Sequence, residues 1–277
     1  MTTVFLHPGE MGAALAATCG GERLWVGAGR SPGTRSRADA VGAIDVGTLG
    51  AAVDRADVLV SICPPDRALA VADEVAGHGF AGVYLDANAI SPETARSIGE
   101  RFEHFVDGGV IGPPPHAAGT TRLYLSGPDA TRVAARWNGS VLDVHVIDGG
   151  PGAASALKMC FAGWTKGTSA LLLAVNALAA AEGVDQALRD EWAVSIPDLT
   201  ARSEATARAT SVKAWRFAGE MDEIAATFAV AGLPDGYHLA AAETYRRLAA
   251  FTDDPADLGA AIDALLTHSA AESGERT

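Results

Sequence analysis

Two places in this sequence combine residue type and spacing in a way that points to chemistry. The first is Lys158, near the start of a stretch from Gly149 to Gly183 in which nothing breaks a helix and small or apolar residues cover almost every face. Lysine is rarely buried unpaired. Its ammonium can stay close to a substrate oxygen, with a pKa open to tuning by desolvation, or it can snorkel to water from the helix end. The second is His7-Pro8-Gly9-Glu10-Met11-Gly12, directly after the apolar run Thr3–Leu6. In a strand–turn–helix unit, Gly9 lets the main chain approach a pyrophosphate and Gly12 lets the helix pack on the strand. The helix N-terminus then offers open N–H groups and a positive dipole end. The turn departs from G-x-G-x-x-G at its first position, which is His7, so a tight turn without a ligand is the competing reading.

A second run, Leu24–Gly27, follows at the distance expected of a dinucleotide unit. An acid about 20 residues beyond the glycines holds a ribose 2′-OH, whereas an arginine there accommodates a 2′-phosphate. This chain places Arg30, Ser31, Arg35 and Arg37 in that region with no acid before Asp39, its densest basic cluster. That pattern favours NADP(H) over NAD(H); a solvated loop is the plain alternative. Cys63-Pro64-Pro65 and Asn88 close the next two strand-like runs and are candidates for the same cofactor, although asparagine is also favoured by turns.

The elements that must position these residues alternate. Val58–Ile62, Gly82–Asp86, His104–Asp107, Leu123–Ser126 and Val144–Ile147 read as strands. Helices are expected at Met11–Cys19, Asp66–Ala76 and after the Ser91-Pro92-Glu93 cap. Such alternation means a doubly wound, largely parallel α/β sheet covered on both faces, with ligands beyond the carboxyl ends of its strands. From Pro151 a long helix, buried on all sides, leads into helical segments Asp185–Val194, Asp198–Arg208, Lys213–Phe217, Met221–Ala231, Tyr237–Phe251 and Ala256–Leu266. A Rossmann-like domain over 1–149 and an all-helical domain over 150–277 follow.

At 277 residues two domains are the natural expectation. A net charge of −13 argues against nucleic acid or an anionic membrane as partner. The uncharged run Gly167–Ala181 is shorter than the ~20 residues a membrane span needs. Cys19, Cys63 and Cys160 show no metal-ligand spacing, so no metal is expected and free thiols in a reducing compartment are. The N-terminal stretch has no basic n-region and no long apolar core, so no signal peptide is expected and the cytoplasm is the expected location. A polar tail runs from Ser269 to Thr277.

Taken together, these residues resemble the β-hydroxyacid dehydrogenase and 6-phosphogluconate dehydrogenase superfamily, and within it the branch with a DUF1932 C-terminal domain. The resemblance rests on the His7–Gly12 turn, on Asp107-Gly108-Gly109-Val110-Ile111-Gly112, and on Gly150-Pro151-Gly152 followed by Lys158. It extends through Gly219–Ala225 and Gly232-Leu233-Pro234 leading to His238. It implies hydride transfer between a nicotinamide and a carbonyl or alcohol carbon, with Lys158 as general acid/base, and a homodimer sharing the long helix.

Departures from the family pattern bear on the substrate. The serine that grips a substrate acid group is matched by Ile111, followed by Gly112, and the asparagines after the lysine are matched by Phe161 and Ala162. Thr165 shares a helix face with Lys158 and Ala162 and can replace a lost polar contact. His238 follows a glycine-containing turn and is a further substrate candidate, with a helix-end histidine of no chemical role as its alternative. A bulkier or less polar small molecule than a short hydroxyacid is expected. Two other readings stand beside this one. The related imine reductases share the fold but generally lack the lysine, and a non-catalytic NADP(H) sensor would tolerate the altered loop.

Overall fold

The computed structural model describes residues 1–252 and 254–273, with side chains to residue 267. It divides into two compact units, Met1–Met159 and Cys160–Thr277. The first unit is an eight-stranded sheet: β1 (Thr3–Phe5), β2 (Arg23–Trp25), β3 (Ile44–Asp45), β4 (Val58–Ser61), β5 (Val83–Asp86), β6 (Phe105–Ile111), β7 (Arg122–Ser126) and β8 (Asp143–Val146). Their order is β3-β2-β1-β4-β5-β6-β7-β8. Every pair is parallel except β6 with β7. The order reverses direction between β1 and β4, and such a reversal opens a ligand crevice at the carboxyl ends.

Alternation along the strands builds two cores. Phe5, Val58, Val60, Val83, Leu85 and Val106 point to one face, where they pack with Leu15 of α1 (Glu10–Thr18) and Trp137. Val4, Leu59, Tyr84 and Phe105 point to the other, against Ala72 and Val75 of α4 (Ala68–Gly77) and Ile98 of α5 (Pro92–Gly99). The α5 cap forms as its residues require: Ser91 Oγ accepts from Thr94 N, and Pro92 occupies the first turn.

Four short elements are not expected from the sequence: α2 (Pro32–Ala40), β3, α3 (Leu49–Val53) and α6 (Ala130–Ala134). In α2 only Ala38 is buried, so no apolar period marks it; its signal was the Ser31-Pro32 start.

The helix α7 (Ala153–Ala181) begins in the first unit and runs into the second. The second unit continues with α8 (Asp185–Ser195), α9 (Leu199–Ser211), α10 (Ala214–Val230), α11 (Gly236–Arg247) and α12 (Leu258–Ser273). Two expectations need correction. Lys213–Phe217 and Met221–Ala231 are not separate helices, because Gly219 lies inside the continuous α10. A helical glycine costs only about 1 kcal/mol, less than the buried face of Ala214, Ala218, Met221 and Ile224 returns. Nor is α7 covered on all sides within one chain: Phe161, Trp164, Leu171 and Leu178 form an exposed apolar stripe, with Trp164 at 70% and Leu178 at 62% exposure. The polar tail begins within α12, and residues 274–277 lie outside those described.

Candidate functional site

The turn after β1 is built around its glycines. Gly9 is the N-cap of α1 and no side chain caps the helix, which leaves its first N–H groups open. A Cβ on Gly9 would meet nothing within 4 Å, so the main chain there faces open space. A Cβ on Gly12 would fall 2.4 Å from the His7 carbonyl oxygen, so the helix can seat on the turn only without a side chain. Pro8 is buried, Met11 packs against the core and Glu10 is exposed. Of this turn, main chain rather than side chains is offered to a ligand, with one exception.

The exception is His7. Its Nδ1 is buried and has no hydrogen-bond partner among the described residues. Burial first, then the positive charges of Arg30 and Arg67, lower its pKa to about 4, so the ring is neutral at pH 7. Arg30 Nε is likewise buried without a partner, and Arg37 Nε donates to the Pro8 carbonyl. Guanidinium groups gathered beside a helix N-terminus suit phosphate.

The rest of the basic cluster is otherwise engaged. Arg35 is tied to Asp45 (3.0 Å), donates to the Gly27 carbonyl, and lies over the Trp25 ring. Asp45 Oδ1 also accepts from the Gly27 and Gly47 amides. An acid therefore does stand at the end of β2, delivered by β3 rather than by the local sequence. Its charge is met by Arg35 and two N–H groups. Ser31 Oγ accepts from Thr34 N and serves as the α2 cap.

A buried polar row crosses the sheet on the face of Tyr84 and Phe105. Ser61 pairs in register with Asp86, Asp86 with Asp107, and Asp107 with Ser126. All four are at most 1% exposed. Asn88 is buried among them: its amide nitrogen donates to Asp86 (2.8 Å) and Ser61 (3.2 Å), while its oxygen accepts from Cys63 N (2.6 Å). This side chain braces the loop after β4 instead of standing open. The same bond fixes Cys63; Pro64 is exposed, and Pro65 starts a short 3-10 turn to Arg67. Burial, reinforced by Asp86, pushes the Cys63 thiol up to about 12, so it stays protonated.

At the other end of the row Asp107 anchors α7. Its carboxylate accepts from Ser155 N (2.9 Å), Ser155 Oγ (2.6 Å) and Ser126 Oγ (3.1 Å), and an acid suits this helix N-terminus. Burial raises its pKa even so. Lys158 follows one turn after Ser155 and is half-buried. A Cβ on Gly109, two residues beyond Asp107 on the same strand face, would fall 2.6 Å from Ala154 O and 3.3 Å from Lys158 Cβ. The lysine stem thus lies directly over β6. Its positive charge reaches Asp86 and opposes the burial that lifts that carboxyl's pKa to about 7.

Ile111 is buried at the end of β6, and Gly112 follows with φ of +124°; a Cβ there would fall 2.4 Å from the Thr120 carbonyl oxygen. The remaining substrate candidates belong to the second unit. Phe161 is exposed, Ala162 is buried, and Thr165 donates its hydroxyl back to the Phe161 carbonyl. His238 does not present itself as a reactive group there. Its ring is 5% exposed, packs on Phe228 and Tyr237, and meets α7 at Gly163 and Gly167. Burial lowers its pKa. Asp86, Ser155 and Arg67 have no role assigned from the sequence, and Asp107 figures only within the Asp107–Gly112 stretch; the signal available is a carboxylate ending each of two apolar strands, Tyr84-Leu85-Asp86 and Phe105-Val106-Asp107.

Residues 179–248 match the family model described as a domain of unknown function, DUF1932. An uncharacterized 28.5 kDa protein of Methanothermus fervidus is 33% identical over 129 residues, which is 46% of this chain and 49% of that one. This chain thus matches about half the length of that curated relative. Among solved structures, a conserved protein of unknown function, described as similar to 3-hydroxyacid dehydrogenases, is 27% identical with a TM-score of 0.67. That likeness covers 90% of this chain and 98% of the other. The 3-hydroxyisobutyrate dehydrogenase of Mycobacterium tuberculosis is 22% identical with a TM-score of 0.68, over 96% and 99% of the two chains. A reductive aminase of Aspergillus terreus in complex with NADPH reaches 0.56 at 16% identity, over 95% and 98%. The chain carries a DUF1932 domain and has the fold of the 3-hydroxyacid dehydrogenases.

Proposed function

We propose that this DUF1932 chain of dehydrogenase fold is an NADP(H)-dependent oxidoreductase acting on a carbonyl or alcohol carbon, with Lys158 as the general acid/base. The observation that carries the reading is the anchoring of Lys158. Asp107 ties the first turn of α7 to the sheet, and Gly109 admits the lysine stem onto β6 just beyond the carboxyl end of β5, the end at which an open α/β sheet takes its ligand. An amine fixed there exchanges a proton with a substrate oxygen, and as an ammonium it steadies a developing alkoxide.

The chain's residues fit a dinucleotide. The bare Gly9 main chain and open α1 N-terminus suit the pyrophosphate, while Arg30, with an unpartnered Nε, and Arg37 suit a 2′-phosphate. Asp45 does not oppose that charge, because Arg35 and two amides occupy it. The structural neighbours include a complex with NADP+ and one with NADPH, which supports the same choice. When bound, the nicotinamide supplies the hydride chemistry; the protein orients it and handles the proton.

Ile111 in place of a hydroxyl side chain argues for a substrate less polar or bulkier than a short hydroxyacid. The exposed stripe Phe161–Leu178 on α7 is the face on which a second copy would dock to give a homodimer. No described helix is long and apolar enough to cross a membrane, and a small molecule in the cytoplasm is the proposed setting.

Lys158→Ala tests the assignment. With the best carbonyl of a size-graded panel and NADPH, turnover should fall by about 10²–10⁴, the usual share of general acid–base catalysis, while NADPH binding stays unchanged. Full activity in the variant would refute the role of Lys158. Absence of turnover by the wild-type protein across the panel, with NADPH still bound, would favour a sensor. A preference for imines would favour the aminase-like reading.

A further inference from the structure

Asp86 is a buried acid in the middle of the polar row. It closes β5, is 1% exposed, and receives two hydrogen bonds from one neighbour, Asn88 N (2.9 Å) and Asn88 Nδ2 (2.8 Å). A carboxylate this deep is costly unless a cation stands near it. Its register partner Asp107 is also an acid, and it already accepts two hydrogen bonds from Ser155 of α7 and one from Ser126 of β7. The charged and titratable groups that bear on Asp86 are Asp107 from β6, Lys158 from α7, Cys63 from the loop after β4, and Tyr84 on its own strand. Lys158 is the cation of the set. Asp86 and Asp107 lie side by side on the face over which α7 starts, and the Lys158 stem crosses that face at Gly109.

We propose that Asp86 and Lys158 act as one couple sharing a proton, Asp86 being the positioning residue that sets the charge of the Lys158 amine. This rests on the reading of Lys158 as the acid/base group. With one proton between them, the carboxylic acid and amine form offers a base, and the carboxylate and ammonium form offers an acid. In oxidation the substrate O–H bond breaks and its proton passes to the lone pair of Lys158 Nζ. The hydride leaves the same carbon for the oxidised nicotinamide, and a C=O bond forms. Reduction runs the same transfers backwards. Desolvation, which holds Asp86 at about 7, is what lets a carboxyl keep a proton in the range where a lysine must act as a base.

The sequence contains three lysines, Lys158, Lys166 and Lys213, so the lysine Cε signals of ¹³C-labelled protein can be followed individually against pH, with Lys158 assigned by Lys158→Arg. No substrate is needed. In Asp86→Asn the proton affinity of Lys158 should fall at least about tenfold, one pH unit in its midpoint, with Lys166 and Lys213 unmoved. A Lys158 midpoint identical in the two proteins would overturn the couple. Should Asp86→Asn fail to fold, Lys158→Met gives the reciprocal measurement. A carboxyl whose pKa is raised on folding makes its contribution at low pH and loses it as pH rises through the folded value. In the wild type that loss falls between pH 4 and about 7. Without the lysine charge to favour ionisation, the loss should extend at least one pH unit higher in the pH profile of thermal stability; an unshifted profile would refute the proposal. Loss of activity in Lys158→Ala with an unshifted titration would leave the acid/base role standing and remove only Asp86 from it.

Discussion

Replacing Gly109 with alanine tests the joint between sheet and active helix. The new methyl would sit 2.6 Å from the Ala154 carbonyl oxygen and 3.2 Å from its carbon, both main-chain atoms of α7 that no rotamer change can move aside. An ordinary contact needs roughly 3.5 Å, so the start of α7 must back away from β6 by ~0.9 Å. That motion pulls on the Ser155 bonds to Asp107, now 2.9 and 2.6 Å, and carries Lys158 with it. Overpacking of this kind costs about 1–3 kcal/mol, which for a chain of this size lowers Tm by roughly 2–5 °C. A misplacement near 1 Å costs ~10² in rate. Calorimetric unfolding and NADPH-dependent turnover should therefore both fall, while the NADPH Kd holds, because the Gly9 turn lies on β1. A variant with wild-type Tm and turnover would show that the close approach at Gly109 does not set the position of Lys158.

Arg30→Ala should weaken NADPH binding by ~10–100-fold, the worth of a charge-assisted hydrogen bond or two, and leave NADH binding within about twofold by titration calorimetry; equal losses for both would sink the 2′-phosphate assignment. Trp164→Glu combined with Leu178→Glu places charges on the exposed stripe of α7 and should convert a dimer to a monomer in sedimentation velocity, whereas a wild-type chain that sediments as a monomer would remove that role for the stripe.

Much of this molecule was written locally. The turn His7–Gly12, the Ser91-Pro92 cap and the apolar strands Val58–Ser61 and Val83–Asp86 declare themselves because each depends on neighbours within one or two turns of chain. The unbroken run after Pro151 does the same, and these pieces placed Lys158 at the start of a helix that follows a largely parallel sheet. Gly219 misled in the opposite direction, since a single weak helix former carries no information about the burial that overrules it.

What stayed hidden was whatever joins residues far apart in the chain. Asp45 meets Arg35 and Gly27 only because β3 pairs with β2. Asn88 is closed inside a network with Ser61 and Cys63 only because β5 lies beside β4. The row Ser61, Asp86, Asp107 and Ser126 exists as a row through sheet register alone. Residue identity determined which groups can hold phosphate or move a proton. Tertiary packing decided which of them are already spent on one another, because a hydrogen bond or a charge is satisfied by proximity in space, and strand pairing sets that proximity.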